Sequence, residues 1–416
     1  MTFIDSALPA FSDAFVPPIV RGTADLTDFA YQGNGHDALV ARIRASLTRN
    51  PPDTEQAAWA YDAAIAEQLD FRRAEGLNLQ GMALAAFQVF RIASDRKHTS
   101  LRLLALAGPG DLMTNTPLDF LTNHLNVRLD LLYILPDRPL PPMIPDHDLA
   151  FFTFATTDPA TLARLHGLYA SWPRPALNDP RFLPTLERDV LSRCLAGIPG
   201  LCSPATVAVS RDTLEAHLTA GQPIPGFAPP SDPYPILIRP LGSHAGAQLS
   251  RLHTPADLAD YLLFASQRQF FVSAFQDYAS PDGLYRKYRI AFIARQPYLC
   301  HMAVSQHWMV HYLNAGMTES AEKREDEARA MRSFDQGFAR RHAAAFAALH
   351  DRIGLDYYSI DCAETRDGRL LLFEADIAAI IHLMDPPDLF PYKRPHMSEV
   401  LIAFDAMLRR RSGLLG

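Results

Sequence analysis

Asp361, Glu374 and Asp376 lie in the run GLDYYSIDCAETRDGRLLLFEAD, whose two apolar arms are joined by Asp367-Gly368. Asp-Gly closes tight hairpins, and a two-residue turn there pairs Arg366 with Arg369. Counting outward one residue per strand sets Asp361 opposite Glu374, with Asp376 two residues on and pointing the same way. Like charges opposed across a sheet repel, so three carboxylates on one patch make sense around a divalent cation, for which hard oxygen donors suit Mg2+ or Mn2+. A solvated acidic edge would carry the same residues. The apolar flanks and the cationic segments upstream favour the metal.

In PILIRPLGSHAGAQL a buried strand delivers Arg239 to a loop containing Gly242, Ser243, His244 and Gly246. Small residues let backbone N–H groups approach an anion, and a guanidinium adds paired donors for phosphate oxygens. A plain glycine hairpin has the same composition. In LYRKYRIAFI, strand alternation puts Arg286, Tyr288 and Ile290 on one face and Lys287, Arg289 and Ala291 on the other. Facing solvent, Lys287 and Arg289 would only blunt a strand edge. Facing the acidic hairpin, they would clamp a triphosphate and the charge of a transferred phosphoryl group. A glycine loop with a cation, a cationic strand and an acidic hairpin, in that order, provide what holding Mg-ATP requires. His301, His307, His311 and His382 come from adjoining segments and are candidates for a proton acceptor or a substrate contact.

Positioning these groups takes more than one domain, and 416 residues allow two or three. With 48% hydrophobic and 20% charged residues the chain is globular, and a net charge of −7 argues against a nucleic-acid partner. No apolar stretch is long enough for a membrane span, and the opening MTFIDSALPAFSDAF has no signal-peptide pattern. Cys194, Cys202, Cys300 and Cys362 lack zinc or dithiol spacing and read as reduced, mostly buried thiols of a cytoplasmic protein.

Helical spacing from His36 to Ser94, broken at Asn50-Pro51-Pro52, predicts a helical N-terminal region over 1–98. Its helix pairs look like tetratricopeptide units, without a second copy at a fixed period. From Leu101 the runs LRLLALAG, RLDLLYILP and DLAFFTFA alternate with helical segments, the grammar of a Rossmann-like parallel α/β domain over 99–200. At the end of its first strand, GPGDLMTNT offers Asn115 and Thr116 to a substrate; Thr116 as an N-cap before Pro117 explains the same residues. The Pro-rich stretch from Gly221 to Pro235 marks a boundary. After it come antiparallel strands, a long charged helix from about Glu319 to Ile353, the hairpin, and an amphipathic terminal helix.

The order of these motifs resembles the ATP-grasp superfamily, within it the glutathione-synthetase-like and ribosomal-modification-like ligases, over roughly Pro173 to His382. The resemblance implies an α/β and α+β multidomain fold. In it a helical cap and a pre-ATP-grasp domain precede an ATP-grasp domain at 201–416, with a smaller lobe at about 201–275 and a larger one at about 276–416. It implies that Arg188 and Arg239 contact phosphate, and that Ser273, Ala274, Phe275, Gln276 and Asp277 lie beside the base and ribose. It also implies that Asp361, Glu374 and Asp376 hold the metal, with Arg289, Lys287 and His301 nearest the chemistry and His311 and His382 toward the substrate. Positions 188 and 239 are commonly lysine in such ligases and the last metal ligand asparagine, so donor geometry and metal charge differ here.

The implied activity is ATP- and Mg2+-dependent ligation of a small-molecule or peptide carboxylate to an amine, through an acyl-phosphate. The implied setting is bacterial, and homodimers are common among similar ligases. A grasp-type kinase or a modifier of peptide termini is the alternative enzyme. A nucleotide-binding scaffold with a partner-binding helical N-terminus is the alternative non-enzyme.

Overall fold

The short apolar runs after residue 100 are strands because both of their faces are covered. The structure, a computed structural model, describes residues 8–415 apart from 46, 49, 97, 157, 228–232, 244–245 and 313–314. The chain begins with β1 (Ala10–Ser12), β2 (Ile19–Val20), α1 (Gly22–Tyr31), α2 (His36–Arg44), α3 (Asp53–Leu69) and α4 (Arg73–Ala86). Next come β3 (Val89–Ile92), β4 (Leu101–Ala107), α5 (Asp119–Thr122), β5 (Val127–Tyr133), β6 (Met143–Pro145), β7 (Leu149–Phe152), α6 (Pro159–Ser171) and β8 (Ala176–Leu177). One sheet runs β2-β3-β5-β4-β7-β8, parallel throughout except between β3 and β5. β7 is buried at every residue and β4 at all but Arg102, as a sheet covered on both faces requires.

The expected boundary between residues 98 and 99 cuts through this sheet. β2 and β3 form its edge, and Leu26 and Ile65 of the helices share one core with Phe90, Leu103 and Leu129. Helical periodicity is strong in α3 and α4, whereas strands of two and four residues are too short to show an alternation.

After α7 (Arg188–Leu195) and β9 (Leu201–Cys202), a small lobe is built from β10 (Thr206–Ser210), α8 (Arg211–Ala220), β11 (Ile236–Pro240), β12 (Ser250–Leu252), α9 (Pro255–Phe264) and β13 (Gln269–Ala274). Its antiparallel sheet, β10-β13-β11-β12, packs on both helices around Leu214, Ile236, Leu258 and Phe270, a core of its own. A reciprocal capping box between Thr254 and Asp257 starts α9.

The large lobe contains β14 (Tyr285–Ile293), β15 (Gln296–Ser305), α10 (Ala321–Arg332), α11 (Ala343–Ile353), β16 (Tyr357–Glu364), β17 (Leu370–Asp376) and α12 (Lys393–Arg411). Its sheet runs β15-β14-β16-β17-β9, antiparallel except where β9 joins β17. The single long helix expected near 319–353 is two helices separated by a π turn at Asp335–Ala339. Ser333 Oγ bonds back to the Arg329 carbonyl at 2.9 Å and Gly337 follows, both of which weaken a helix interior. Among the described residues no helix is long and apolar enough to cross a membrane.

Candidate functional site

The acidic hairpin places its carboxylates through two offsets that cancel. Its loop is longer than Asp-Gly predicts: Thr365 N–H bonds Arg369 O and Gly368 N–H bonds Thr365 O, both at 2.9 Å, with Gly368 at φ +79°. Glu364 therefore pairs with Leu370 and Cys362 with Leu372, one residue out of the expected register. A β-bulge between Cys362 and Asp361 then takes up Phe373, and beyond it Asp361 pairs with Glu374 and Ser359 with Asp376. The expected opposition of Asp361 and Glu374 is correct, although the turn that predicted it is not.

On the other side of β16, Arg289 of β14 is the register partner of Asp361. Its Nε lies 2.8 Å from Oδ1 and its Nη2 3.0 Å from Oδ2, and Lys287 Nζ is 2.8 Å from Oδ2. Burial alone would raise the Asp361 carboxyl; the charges of Arg289 and Lys287 outweigh it and hold the group far below the usual carboxylate range. Arg286, on the opposite face as alternation requires, bonds Asp282 and Asp326 instead. Glu374 pairs with the Arg188 guanidinium, and this charge lowers its carboxyl against burial.

Asp376 differs from both. It accepts the Ala378 N–H at 2.8 Å, and among the described residues no cation pairs with it. Burial first, and the charges of Glu374 and Asp361 next, push its carboxyl upward.

Small-lobe groups reach the same spot. Arg239, buried at the end of β11, bonds Ser243 Oγ at 2.9 Å and the Ser243 carbonyl, and burial together with the nearby Arg188 charge lowers it to about 10. Gly242 and Gly246 have φ of +70° and +71°, a region that favours glycine. A Cβ on Gly246 would stand 2.5 Å from His311 Nε2, so the loop touches the large lobe. His244 lies outside the described residues.

Beyond β13 the chain crosses to the large lobe. Ser273 Oγ is tied to Thr206 Oγ1 at 2.8 Å, Ala274 N–H to Ala205 O and Phe275 N–H to Pro235 O. Among the described residues, the N–H groups of Gln276 and Asp277 reach no backbone oxygen. Arg251 lies over the Phe275 ring at 4.4 Å, and Arg366 pairs with Asp277 at 3.2 Å.

Other expected residues have different work. Asn115 makes two 2.8 Å bonds to the N–H and carbonyl of Gly108, and the buried Thr116 hydroxyl bonds the Thr153 carbonyl. Both shape the loop that borders a cavity of about 70 Å³ at the carboxyl end of β4, and these bonds tie their polar groups to backbone. Nor does Thr116 cap α5, which follows Leu118. His301 stands against Tyr312, ring centroids 4.5 Å apart; desolvation and the Arg289 and Lys393 charges push its imidazole well below its ordinary value, which makes it a poor base. His311 is lowered by burial and by Lys287, and His382 falls to about 4, chiefly by burial. His307 is exposed and accepts the Met309 N–H at 3.2 Å.

Four polar residues beside the site gave no signal in sequence: Glu327 and Lys393, which are buried, and Tyr312 and Asp385, which are partly buried. Lys393 Nζ bonds Asp385 Oδ2 at 2.9 Å and the Tyr312 hydroxyl, and lies 3.5 Å from Glu327 Oε1. Glu327 and Lys393 lie in helices, and a lone Lys or Glu in a polar helix carries no period of its own.

The donor set suits a hard cation, with carboxylate oxygens on adjacent strands and Asp376 raised by burial and then by its acidic neighbours. Among the described residues no three acidic, His or Cys side chains converge at metal spacing, since Asp361 and Glu374 are drawn onto cations. An anion that competed for Lys287, Arg289 and Arg188 would free those oxygens.

No protein-family profile matches the chain, and no curated protein matches it. Among solved structures it is similar to D-alanine–D-alanine ligase from Bacillus anthracis complexed with ATP, at 11% identity and TM-score 0.40, over 76% of this chain and 100% of that one. VanG D-Ala:D-Ser ligase from Enterococcus faecalis is similar at 12% identity and TM-score 0.46, over 75% and 100%. A RimK domain ATP-grasp protein from Sphaerobacter thermophilus is similar at 18% and 0.40, over 74% and 99%. At such low identities and scores, the chemistry rests on this chain's own side chains.

Proposed function

We propose that this protein is an ATP- and Mg2+-dependent carboxylate–amine ligase of the ATP-grasp type. The observation that carries the reading is the meeting of acidic and cationic side chains from separate elements. Asp361, Glu374 and Asp376 of the hairpin stand among Lys287 and Arg289 of β14, Arg188 of α7 and Arg239 of the small lobe. A surplus of cations over carboxylates suits a polyanion that arrives with its own metal.

In this reading Arg188 and Arg239 grip phosphate oxygens, and the free N–H groups at Gln276 and Asp277 face the base. Asp361, Glu374 and Asp376 hold Mg2+, which when bound neutralises the phosphates. Arg289 and Lys287, released from Asp361, stabilise charge on the carboxylate as it accepts the phosphoryl group and on the tetrahedral intermediate as the amine displaces phosphate. No protein nucleophile is required. His301 is a positioning group against Tyr312, and the amine loses its proton elsewhere.

Incubation with ATP, Mg2+ and a library of carboxylates and amines tests the reading. An amide formed in step with ADP supports it. A phosphorylated product without an amide makes the protein a kinase, and absence of ADP with every pair removes the proposal.

A further inference from the structure

Four side chains of the large lobe stand in one row across four strands. Arg289 of β14 is the register partner of Asp361 on one side and of His301 of β15 on the other, and Asp361 is in turn the partner of Glu374. Residues directly opposite on neighbouring antiparallel strands share a face, with Cβ atoms about 4.5–5.5 Å apart. Two bulges adjoin the row: Cys300 is the extra residue of β15 beside His301, and Phe373 that of β17 beside Glu374. Bulges re-aim side chains next to functional sites. In the ligase reading Asp361 and Glu374 hold the metal and Arg289 serves the reaction, whereas the outer member of the row has no task.

His301 is held by packing alone. Among the described residues no hydrogen bond reaches its ring, and Tyr312 lies against it with ring centroids 4.5 Å apart. Tyr312 is itself locked: its hydroxyl bonds Lys393 Nζ and, at 3.1 Å, Glu327 Oε2, and the Lys393 ammonium sits 4.1 Å from its ring centroid. Glu327 also takes the Met302 N–H at 2.9 Å, on the outer edge of β15. One fully buried carboxylate thus fixes both the backbone next to His301 and the ring that faces it. Buried ion pairs seldom add stability over an apolar core, which directs attention to what this one orders. Desolvation keeps the His301 imidazole neutral, and a neutral imidazole has one nitrogen that accepts a hydrogen bond. Arg289 donates Nε and Nη2 to Asp361, the same oxygens that a metal would claim.

We infer that His301 is the acceptor to which Arg289 passes when Asp361 turns to the metal, and that Tyr312, fixed by Glu327 and Lys393, is the positioning residue that holds the imidazole ready. Anchored at His301 by one N–H, the guanidinium keeps its other donors for the phosphoryl group in transfer. This inference rests on the ligase reading and adds to it the route by which Arg289 becomes available.

Calorimetry of the full chain with Mg-ADP, alone and with aluminium fluoride standing in for the phosphoryl group in transfer, tests it without knowledge of acid or amine. The parent should bind Mg-ADP about tenfold more tightly when the fluoride is present. His301→Phe keeps a ring against Tyr312 but accepts no hydrogen bond, so it should lose most of that gain with Mg-ADP affinity within twofold of the parent. His301→Gln supplies an acceptor again and should recover at least half of the gain. Tyr312→Phe leaves the ring in place, so that folding is not at risk, and should lower the gain about threefold by unlocking the imidazole. An undiminished gain in His301→Phe or Tyr312→Phe, or equal losses in His301→Phe and His301→Gln, would overturn the inference and leave the ligase reading intact. Mg-ADP binding without any gain in the parent would do the same, whereas no binding at all would overturn both.

Discussion

Asp361 and Asp376 are two residues of one acidic patch with opposite electrostatic signs. Asp361 is depressed by Arg289 and Lys287 despite its burial, so its contribution to stability is present above the ordinary carboxylate range and is lost only as pH falls through its low folded value. Asp361→Asn should cost about 2–3 kcal/mol at neutral pH in denaturant titrations, because it leaves two partly buried cations without their counter-ion, a smaller loss than for a fully buried pair. Asp376 is raised by burial and by its acidic neighbours, so without ligand its charge destabilises the fold as pH rises above the ordinary carboxylate range. Asp376→Asn should therefore melt higher than the parent at neutral pH and bind Mg-nucleotide about tenfold more weakly. A parent and variant of equal melting temperature would remove the electrostatic account of Asp376. At this scale the sequence revealed the acids and the cations but not their pairing. The lowered imidazole of His301 was not legible either, because desolvation by neighbours from other elements leaves no local trace.

At the scale of elements, a hairpin is legible from its turn residues only when the register runs undisturbed. Asp367-Gly368 does mark the turn, yet the loop takes one residue more, and the bulge at Phe373 restores the alignment. Phe373 packs against Tyr278 at 5.0 Å, a contact from a distant segment that no periodicity reports. Gly368, at φ +79° with open space around it, should tolerate alanine sterically and lose about 1 kcal/mol to backbone strain, measured by chemical denaturation, with nucleotide affinity unchanged. A larger loss of affinity would tie the turn to the site. The expected long helix failed for a related reason: charged residues and alanines favour helix throughout, and the break comes from a serine back-bond and a glycine whose effect depends on packing.

At the scale of the whole molecule, the small lobe has its own core and the glycine loop reaches across to His311. The Pro-rich stretch expected to mark a boundary lies inside the small lobe, between α8 and β11, and the seam expected after residue 98 vanished into a sheet that draws strands from both sides. Gly246→Val adds a branched side chain at φ +71° where a Cβ already meets His311, and should force the loop away from the large lobe. Nucleotide affinity should fall about tenfold, with a stability loss of no more than about 1–2 kcal/mol, since the lobe cores are untouched.

The central claim is that hairpin carboxylates and converging cations together bind a metal-carried nucleotide. Calorimetric titration of a non-hydrolysable ATP analogue with and without Mg2+, into the parent and Glu374→Gln, tests it most directly. The account predicts binding that depends on Mg2+ in the parent and weakens at least tenfold in the variant while both remain folded. Equal affinity with and without Mg2+, or an unaltered titration in Glu374→Gln, would contradict it.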